Sequence, residues 1–297
     1  MKNARKIISV LLVAVICVLC FAGCGNDGAN ENTIDIKNAK SIADLKGAKI
    51  AAQTGTFHAD ARLQIEDVKG ETYPAFDDLL TALQSGAIDG YISEEPTAFF
   101  ASLQYPDTIT FLPLKNNDTG FTTSAGDTSI AVGLKKGSEL REKMNAVIET
   151  ITEEQKTQLM EQMSTLSAGG TIEAVALASE APAEPVGTLK VAMECNYKPY
   201  NWTEIGAQSV GAVPIYGEGK DGQYANGYDV QIAQYIANKL GMKLEIYALE
   251  WDSLIPAVQS GTVDAIIAGM SPTEERAKEV DFTTPYYESN LVIIIKK

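Results

Sequence analysis

Residues 251–288, WDSLIPAVQSGTVDAIIAGMSPTEERAKEVDFTTPYYE, decide the fold because part of this stretch has a second copy in the chain. The segment LIPAVQSGTVDAIIA at 254–268 is matched by LLTALQSGAIDGYIS at 79–93. Each copy combines an apolar helix face, a Ser-Gly pair and a short run rich in isoleucine. This order is typical of a helix with a glycine C-cap followed by a buried strand. The repeat therefore predicts an α/β protein with two similar lobes, and small ligands usually bind in the cleft between lobes.

The N-terminal residues have the pattern of a secretion signal. Three basic residues among the first six precede an apolar run at 7–19, which is short for a membrane-spanning helix. The sequence FAGC at 21–24 resembles the lipobox of bacterial lipoproteins. We therefore expect residues 1–23 to be a lipoprotein signal peptide and Cys24 to carry the lipid of a membrane-anchored protein on the extracytoplasmic side, extracellular or periplasmic. An uncleaved membrane anchor and a plain secretory signal are the alternatives.

The composition of the remaining chain excludes several classes of protein. The formal net charge is −15, and removal of the basic signal peptide makes the chain more acidic, so we expect no nucleic-acid partner. The chain has one histidine, His58, and no cluster of cysteine and histidine. We therefore expect no metal site, no histidine-based catalytic triad and no cofactor. Residues 24–37 begin with a segment rich in glycine and asparagine and are predicted to be a flexible tether.

A stretch rich in alanine, proline and glycine at 168–187 is predicted to be a linker between two parts of the chain. The segment before it, 138–166, is charged and favours helix. The segment after it, TLKVAM at 188–193, predicts a first strand.

Both parts resemble one known family. TLKVAMECNYKPYNW at 188–202 and NGYDVQIAQYIANKLG at 226–241, followed by 251–288, resemble the N-terminal half of amino-acid-binding proteins of bacterial ABC importers, solute-binding protein family 3. SIADLKGAKIAAQTGTFH at 41–58 and the residues that follow it, up to 166, resemble the C-terminal half. The resemblance implies the type II periplasmic-binding fold, in which two Rossmann-like lobes surround a cleft.

The two halves stand in reversed order, so the chain is predicted to be a circular permutant. Proteins tolerate circular permutation when the original termini lie close together and the new termini fall at an exposed hinge or loop. The predicted divisions are a signal peptide at 1–23, a tether at 24–37, a smaller lobe at 38–118, a first part of the larger lobe at 119–167, a linker at 168–187 and a second part of the larger lobe at 188–297. This arrangement leaves a single crossover between the lobes, near 115–122, and predicts a looser hinge. A fragment of a tandem protein is the alternative.

Arg276 is the first candidate for ligand binding, since its planar guanidinium can bind a carboxylate through two hydrogen bonds. Ser271 followed by Pro272 is predicted to begin a helix, with Ser271 as the N-cap. The resemblance implies that Arg276 binds the α-carboxylate of an amino acid, while the Ser271 hydroxyl and the Gly269 carbonyl bind its α-ammonium. A surface salt bridge is the alternative role for Arg276.

The opposing lobe offers residues at the end of the strand predicted at AKIAA. The resemblance implies that Thr56 and the Phe57 amide bind the same carboxylate, and that Gln53 faces the ligand's side chain. Without the family, Thr-Gly-Thr is a weak signal that is also typical of a turn. His58 is expected to be an exposed residue at the start of a helix.

Glu94 follows the strand GYI and stands where the family usually has an aspartate that pairs with the α-ammonium. A buried carboxylate needs a cationic partner, because burial of an unpaired charge is costly. Glu95 is the alternative if the alignment is shifted by one residue.

Selectivity for the ligand's side chain is expected from Glu194, Tyr197 and Trp251. The family often places the side chain between rings at the last two positions, with an acid at its far end. Two rings and a carboxylate suit a basic or polar side chain. The alternative is that the rings are core residues and Glu194 is solvated. The insertion at 203–225 is a possible cover for the pocket.

These features predict the substrate-binding component of an amino-acid ABC importer, which captures a basic or polar amino acid and delivers it to a permease in the membrane. It is expected to be a monomer without catalytic residues. A dehydratase-like enzyme on the same fold, in which Glu94 or Glu194 acts as an acid, is the main alternative. A ligand-sensing module is another.

Overall fold

The computed structural model describes residues 34–297 except Ala207, and residues 34–297 form one compact unit. The predicted signal peptide, Cys24 and most of the predicted tether lie outside the described residues. The predicted end of the tether at residue 37 is wrong. Ile36–Asn38 form a 3-10 helix, and Ile34 and Ile36 pack against the core of the smaller lobe. Among the residues that the structure describes, no helix has the length and apolar character needed to cross a membrane.

The smaller lobe is a five-stranded sheet in the order β2-β1-β3-β16-β4, with helices packed against it. Its strands are β1 (Ile50–Gln53), β2 (Thr72–Tyr73), β3 (Gly90–Glu94), β4 (Ile109–Leu112) and β16 (Leu291–Lys296). Its helices are a 3-10 helix (Ile42–Leu45), α1 (Phe57–Arg62), α2 (Phe76–Ser85) and α3 (Glu95–Gln104). Strand β1 is parallel to its two neighbours, and β16 is antiparallel to β3 and β4.

The larger lobe contains nine paired strands in the order β14-β6-β13-β7-β12-β10-β11-β9-β8. They are β6 (Gly133–Leu134), β7 (Thr188–Met193), β8 (Asn196–Tyr197), β9 (Asn201–Ile205), β10 (Val213–Tyr216), β11 (Gln223–Asn226), β12 (Lys243–Ala248), β13 (Ala265–Ile266) and β14 (Asp281–Phe282). The helices are α4 (Ala125–Thr128), α5 (Leu140–Ile148), α6 (Glu153–Ser167), α7 (Tyr228–Lys239), a 3-10 helix (Trp251–Ser253), α8 (Leu254–Ser260) and α9 (Arg276–Glu279). Strand β7 lies between β12 and β13 and is parallel to both, so the predicted first strand is central to this sheet.

The repeat found in the sequence is confirmed as two equivalent structural units, one in each lobe. Helix α2 ends at Gly86 with φ 81°, and α8 ends at Gly261 with φ 76°, so both C-caps adopt the left-handed conformation that glycine tolerates. Asp89 then accepts a hydrogen bond of 2.8 Å from the Lys49 amide, and Asp264 accepts one of 2.9 Å from the Lys190 amide. Each aspartate therefore ties the loop after its helix to the start of the neighbouring parallel strand.

The predicted end of the larger lobe at residue 297 is wrong. Strand β16 pairs with β3 and β4 in the smaller lobe, because its run of valine and isoleucine is buried there between two strands. Within the part of the chain that the structure describes, there are therefore two crossovers between the lobes, one after β4 and one before β16. A short two-stranded sheet, β5 (Ser129–Ile130) with β15 (Tyr287–Glu288), lies next to these crossovers. The prediction of a single crossover is consequently wrong as well, and the looser hinge that was inferred from it loses its basis.

Three other stretches take a definite place in the larger lobe. The charged segment before the linker forms α5 and α6, and the second begins with a capping box at Thr152. The linker contains no helix or strand, but Leu177 is buried in the core and the Gln162 side chain bonds the backbone of Ala174 and Ala176. The insertion at 203–225 extends the sheet through β9, β10 and β11.

Candidate functional site

A small cavity between the lobes brings together nine of the ten residues predicted to bind ligand. Its open volume is about 10 Å³, roughly the space of one water molecule, so the lobes are closed on each other. It is lined by Gln53, Thr56, Phe57, His58, Phe76, Glu94, Tyr197, Trp251, Gly269, Ser271 and Arg276. Glu194, the tenth predicted residue, meets this group through Gln53.

Arg276 contacts both lobes. Its Nη1 donates to the Ser271 carbonyl at 3.0 Å, and its Nη2 donates across the cleft to the Gly55 carbonyl at 3.2 Å. The guanidinium lies 5.2 Å from the centre of the Trp251 ring, in the geometry of a cation–π contact. Burial lowers the pKa of Arg276 to about 10, which still leaves a full positive charge at neutral pH.

The predicted N-cap at Ser271 is wrong. Helix α9 begins at Arg276, four residues beyond the predicted start at Pro272, and the Thr273 hydroxyl accepts the Arg276 amide at 3.3 Å. Ser271 instead lies in the cavity wall, buried but for 7 % of its surface. Its hydroxyl is therefore placed beside the cavity rather than at a helix terminus.

The segment after β1 forms the opposite wall. The Thr56 hydroxyl donates to the Gln53 carbonyl at 2.7 Å, which fixes the turn that leads into α1 at Phe57. Gly55 has φ 69°, and its carbonyl also accepts Trp251 Nε1 at 3.2 Å. This turn of the smaller lobe therefore stabilises the closed arrangement by contacts with the larger lobe.

Glu94 and His58 form a buried pair that the sequence did not predict. His58 Nε2 lies 2.9 Å from Glu94 Oε1, and the two residues are only 6 % and 4 % exposed. The expectation that His58 is exposed is wrong, because the first turn of α1 directs its ring into the cleft, against the edge of Phe76. Glu95 is exposed, so of the two alternative carboxylates it is Glu94 that lies in the cavity.

Two aromatic rings of the larger lobe line the cavity and face different partners. Tyr197 stacks face to face on Phe76 from the other lobe, with centroids 4.0 Å apart and an interplanar angle of 2°. Trp251 faces Arg276. The placement of the ligand's side chain between Tyr197 and Trp251 stays a prediction. Phe76 was missed. The available signal was its position as the first residue of the repeated helix, directly after β2.

Glu194 joins the small cavity to a larger one. Gln53 Nε2 donates to Glu194 Oε1 at 3.1 Å and to the Pro74 carbonyl at 3.0 Å. Burial raises the pKa of Glu194 to about 7, and nearby acids, including Glu250 and Asp77, add to the shift. On its other side Glu194 borders a cavity of about 680 Å³. Glu194 is therefore partly buried rather than freely solvated.

A buried polar network supports the strand end that carries Gly269. Asp229 accepts Tyr286 Oη and Asn201 Nδ2, each at 2.7 Å. A hydrogen bond from the backbone of Gly269 also reaches Asp229, whose pKa is raised by burial to about 6. Gly269 has φ 63°, and a Cβ at this position would lie 2.9 Å from the Tyr197 ring. The loop thus requires glycine. Asp229 was missed because one acid within a helix pattern gives no signal.

Part of the chain is similar to known proteins. Residues 211–297 match the model of the bacterial extracellular solute-binding proteins, family 3. The chain is 42% identical over 80 residues to the arginine-binding extracellular protein ArtP of Bacillus subtilis, which covers 27% of this chain and 31% of that protein. It is 37% identical over 110 residues to a probable histidine-binding protein of Campylobacter jejuni, covering 37% and 36%.

Among solved structures, an ancestral arginine-binding protein bound to arginine is 38% identical over 35% of this chain and 39% of its own, with a TM-score of 0.27. At that TM-score the superposition adds nothing about the fold, which rests on the sheets described above. The chain spans about a third of the length of the curated relatives it matches. Over residues 211–297, the chain is thus similar to the bacterial extracellular solute-binding proteins, family 3.

Proposed function

We propose that this protein captures a free amino acid between its two lobes. The observation that carries the proposal is the pair of opposite charges in one small cavity, the guanidinium of Arg276 and the buried carboxylate of Glu94. An α-amino acid is a zwitterion with a carboxylate and an ammonium on one carbon, and it matches such a pair. In this proposal Arg276, the Thr56 hydroxyl and the Phe57 amide bind the carboxylate. Glu94, with the Ser271 hydroxyl and the Gly269 carbonyl, binds the ammonium.

The ligand's side chain is proposed to run past Tyr197 towards Gln53 and Glu194. Glu194 and its acidic neighbours favour a positive charge at that end. The electron-rich ring of Tyr197 also favours a cation. We therefore propose a basic amino acid, with a polar one such as glutamine as the second choice. The names of the arginine- and histidine-binding relatives support this choice.

Capture is proposed to work by closure. Contacts across the cleft include Thr97 Oγ1 to the Lys198 carbonyl at 3.1 Å, besides those of Gly55 and Phe76. The ligand would enter an open form and contact both lobes, which favours closure around it. Because the cavity of the present form has room for about one water molecule, the ligand-bound form must close less fully than this one. The closed protein would then deliver the ligand to the permease of an ABC importer. The proposal includes lipid anchoring through Cys24 outside the cytoplasm, a monomeric state, a circularly permuted order and binding without turnover.

Isothermal titration of residues 25–297 with the twenty amino acids, ornithine and cystine tests the proposal. The expected result is sub-micromolar binding of one basic or polar amino acid. An analogue of that ligand without its carboxylate should bind at least a hundredfold more weakly. Absence of binding by all of them would overturn the proposal. Proton NMR of the ligand after overnight incubation separates binding from a dehydratase-like activity, because a binding protein leaves its ligand unchanged.

A further inference from the structure

The His58–Glu94 pair lies in the cavity wall and has unused hydrogen-bonding capacity. Glu94 Oε1 is engaged by His58 Nε2 at 2.9 Å, whereas Glu94 Oε2 and His58 Nδ1 are buried and have no hydrogen-bond partner among the described residues. An unpaired buried polar atom of this kind is costly, and it usually indicates an absent partner or a functional role. Because the carboxylate lies in a cavity rather than in the core, a ligand can supply that partner.

Building on the proposed function, we infer that His58 is a positioning residue for the ligand's α-ammonium. The imidazole holds one oxygen of Glu94 and turns the other, Oε2, towards the cavity, where the ammonium donates to it. Neutral His58 leaves the negative charge of Glu94 available to the ligand. Protonated His58 forms an ion pair with Glu94 and brings a second cation close to the ammonium, so it opposes binding.

The other charged groups around the pair do not remove this competition. Arg276 on α9 and Asp229 on α7 both interact with Glu94, and Asp60 on the same helix as His58 interacts with Arg276. Tyr200 and Tyr287 also face Glu94, and the pKa of each is raised, so both are neutral at physiological pH. Arg276 is the cation among these groups, and its hydrogen bonds go to the Ser271 and Gly55 carbonyls rather than to Glu94. Within the described residues, the imidazole is therefore the group that sets how much of the Glu94 charge the ligand meets.

The consequence is a coupling between ligand and proton. Histidine changes charge between pH 5 and 8. Because the ammonium disfavours protonated His58, binding releases a proton wherever the free protein carries one there. The affinity should therefore fall as the pH falls, by at most about tenfold per pH unit for one linked proton. Capture at neutral pH and release in an acidic environment would follow from one side chain.

Calorimetric titration of L-arginine at pH 5.5, 6.5 and 7.5 tests the inference, with the wild type compared with His58→Gln. L-lysine, L-ornithine and L-glutamine replace arginine as the probe if it gives no heat. Glutamine keeps a donor for Glu94 but cannot carry a charge. We expect the wild-type affinity to fall several-fold more than that of the variant between pH 7.5 and 5.5. Glu194 and Asp229 titrate in the same window in both proteins, so the difference between the two reports His58.

Two further measurements keep the result decisive. His58 is the one histidine of the chain, so an untagged protein gives one imidazole Hε1 resonance, and saturating ligand should shift its titration to lower pH. This measurement needs no variant. The analogue 5-guanidinopentanoate lacks the α-ammonium and should bind weakly but without the histidine-dependent change. Equal pH dependence in wild type and variant, with an unshifted imidazole titration, would overturn the inference and leave the proposed function intact. No binding of any amino acid at any pH would overturn the proposed function itself.

Discussion

Replacement of Arg276 by alanine tests the centre of the proposed site. The guanidinium is held by the Ser271 and Gly55 carbonyls and lies over Trp251, so its direction is fixed before a ligand arrives. Two charge-assisted hydrogen bonds to a carboxylate contribute about 1.5–3 kcal/mol each. Their loss should weaken binding by about 3–6 kcal/mol, which corresponds to roughly 10²- to 10⁴-fold in Kd.

The assay is isothermal titration of the tightest amino acid, with displacement titration if the variant is too weak for direct measurement. Arg276→Lys is the matched control, because lysine keeps the charge but loses the planar pair of donors. It should retain part of the affinity, about ten- to a hundredfold below the wild type. The alanine variant also loses two hydrogen bonds to carbonyls and should unfold about 1–2 kcal/mol more easily.

Circular dichroism must therefore show that both variants are folded at the temperature of the titration. If a folded Arg276→Ala protein binds within threefold of the wild type, the arginine is not the carboxylate clamp. The charge complementarity behind the proposed function would then have no basis.

Three other changes test separate parts of the site. Glu194→Gln should reduce the preference for arginine over glutamine in titrations by tenfold or more. Because its pKa is raised to about 7, folded Glu194 holds a proton that the unfolded chain releases between pH 4.5 and 7. The free energy of unfolding in urea should therefore fall as pH rises through this range. The variant should lose the part of that slope that Glu194 contributes and keep the part from Asp229, whose pKa is raised to about 6. Gly269→Ala should destabilise by about 1–3 kcal/mol through its clash with Tyr197, and Gly261→Ala is the control because φ is similar, 76° against 63°, while its Cβ would meet open space. A similar loss in both would refute the clash. Phe76→Ala should increase the radius of gyration of the ligand-free protein in X-ray scattering because the ring stack across the cleft is lost, and an unchanged radius would contradict that role.

Local patterns predicted a large part of the fold. The repeated Ser-Gly segments gave both helix C-caps and the strands that follow them, because glycine at a C-cap and a run of buried isoleucine are properties of a few neighbouring residues. Predictions were wrong where one local pattern is compatible with two structures. Ser271 before Pro272 is a good N-cap, but Thr273 is a second hydroxyl two residues later, and the chain uses that one.

The lobe that receives a strand is not a local property. LVIIIK at 291–296 is an apolar run that any buried sheet position would accept, and only the pairing with β3 and β4 places it in the smaller lobe. The prediction of the site depended on local patterns in the same way. The sequence identified Arg276, Thr56 and Glu94 as cavity residues because each belongs to a motif that lies on one short segment.

What the sequence determined by itself is the α/β class, the two similar lobes and the chemical types of the groups in the cleft, since each depends on residues close together in the chain. Only the tertiary structure decided which of these groups meet. His58 pairs with Glu94 over 36 residues within the smaller lobe, and Phe76 stacks on a tyrosine of the other lobe. The first contact depends on how one lobe packs and the second on how the two lobes close, and both depend on many distant residues at once. No single segment contains that information.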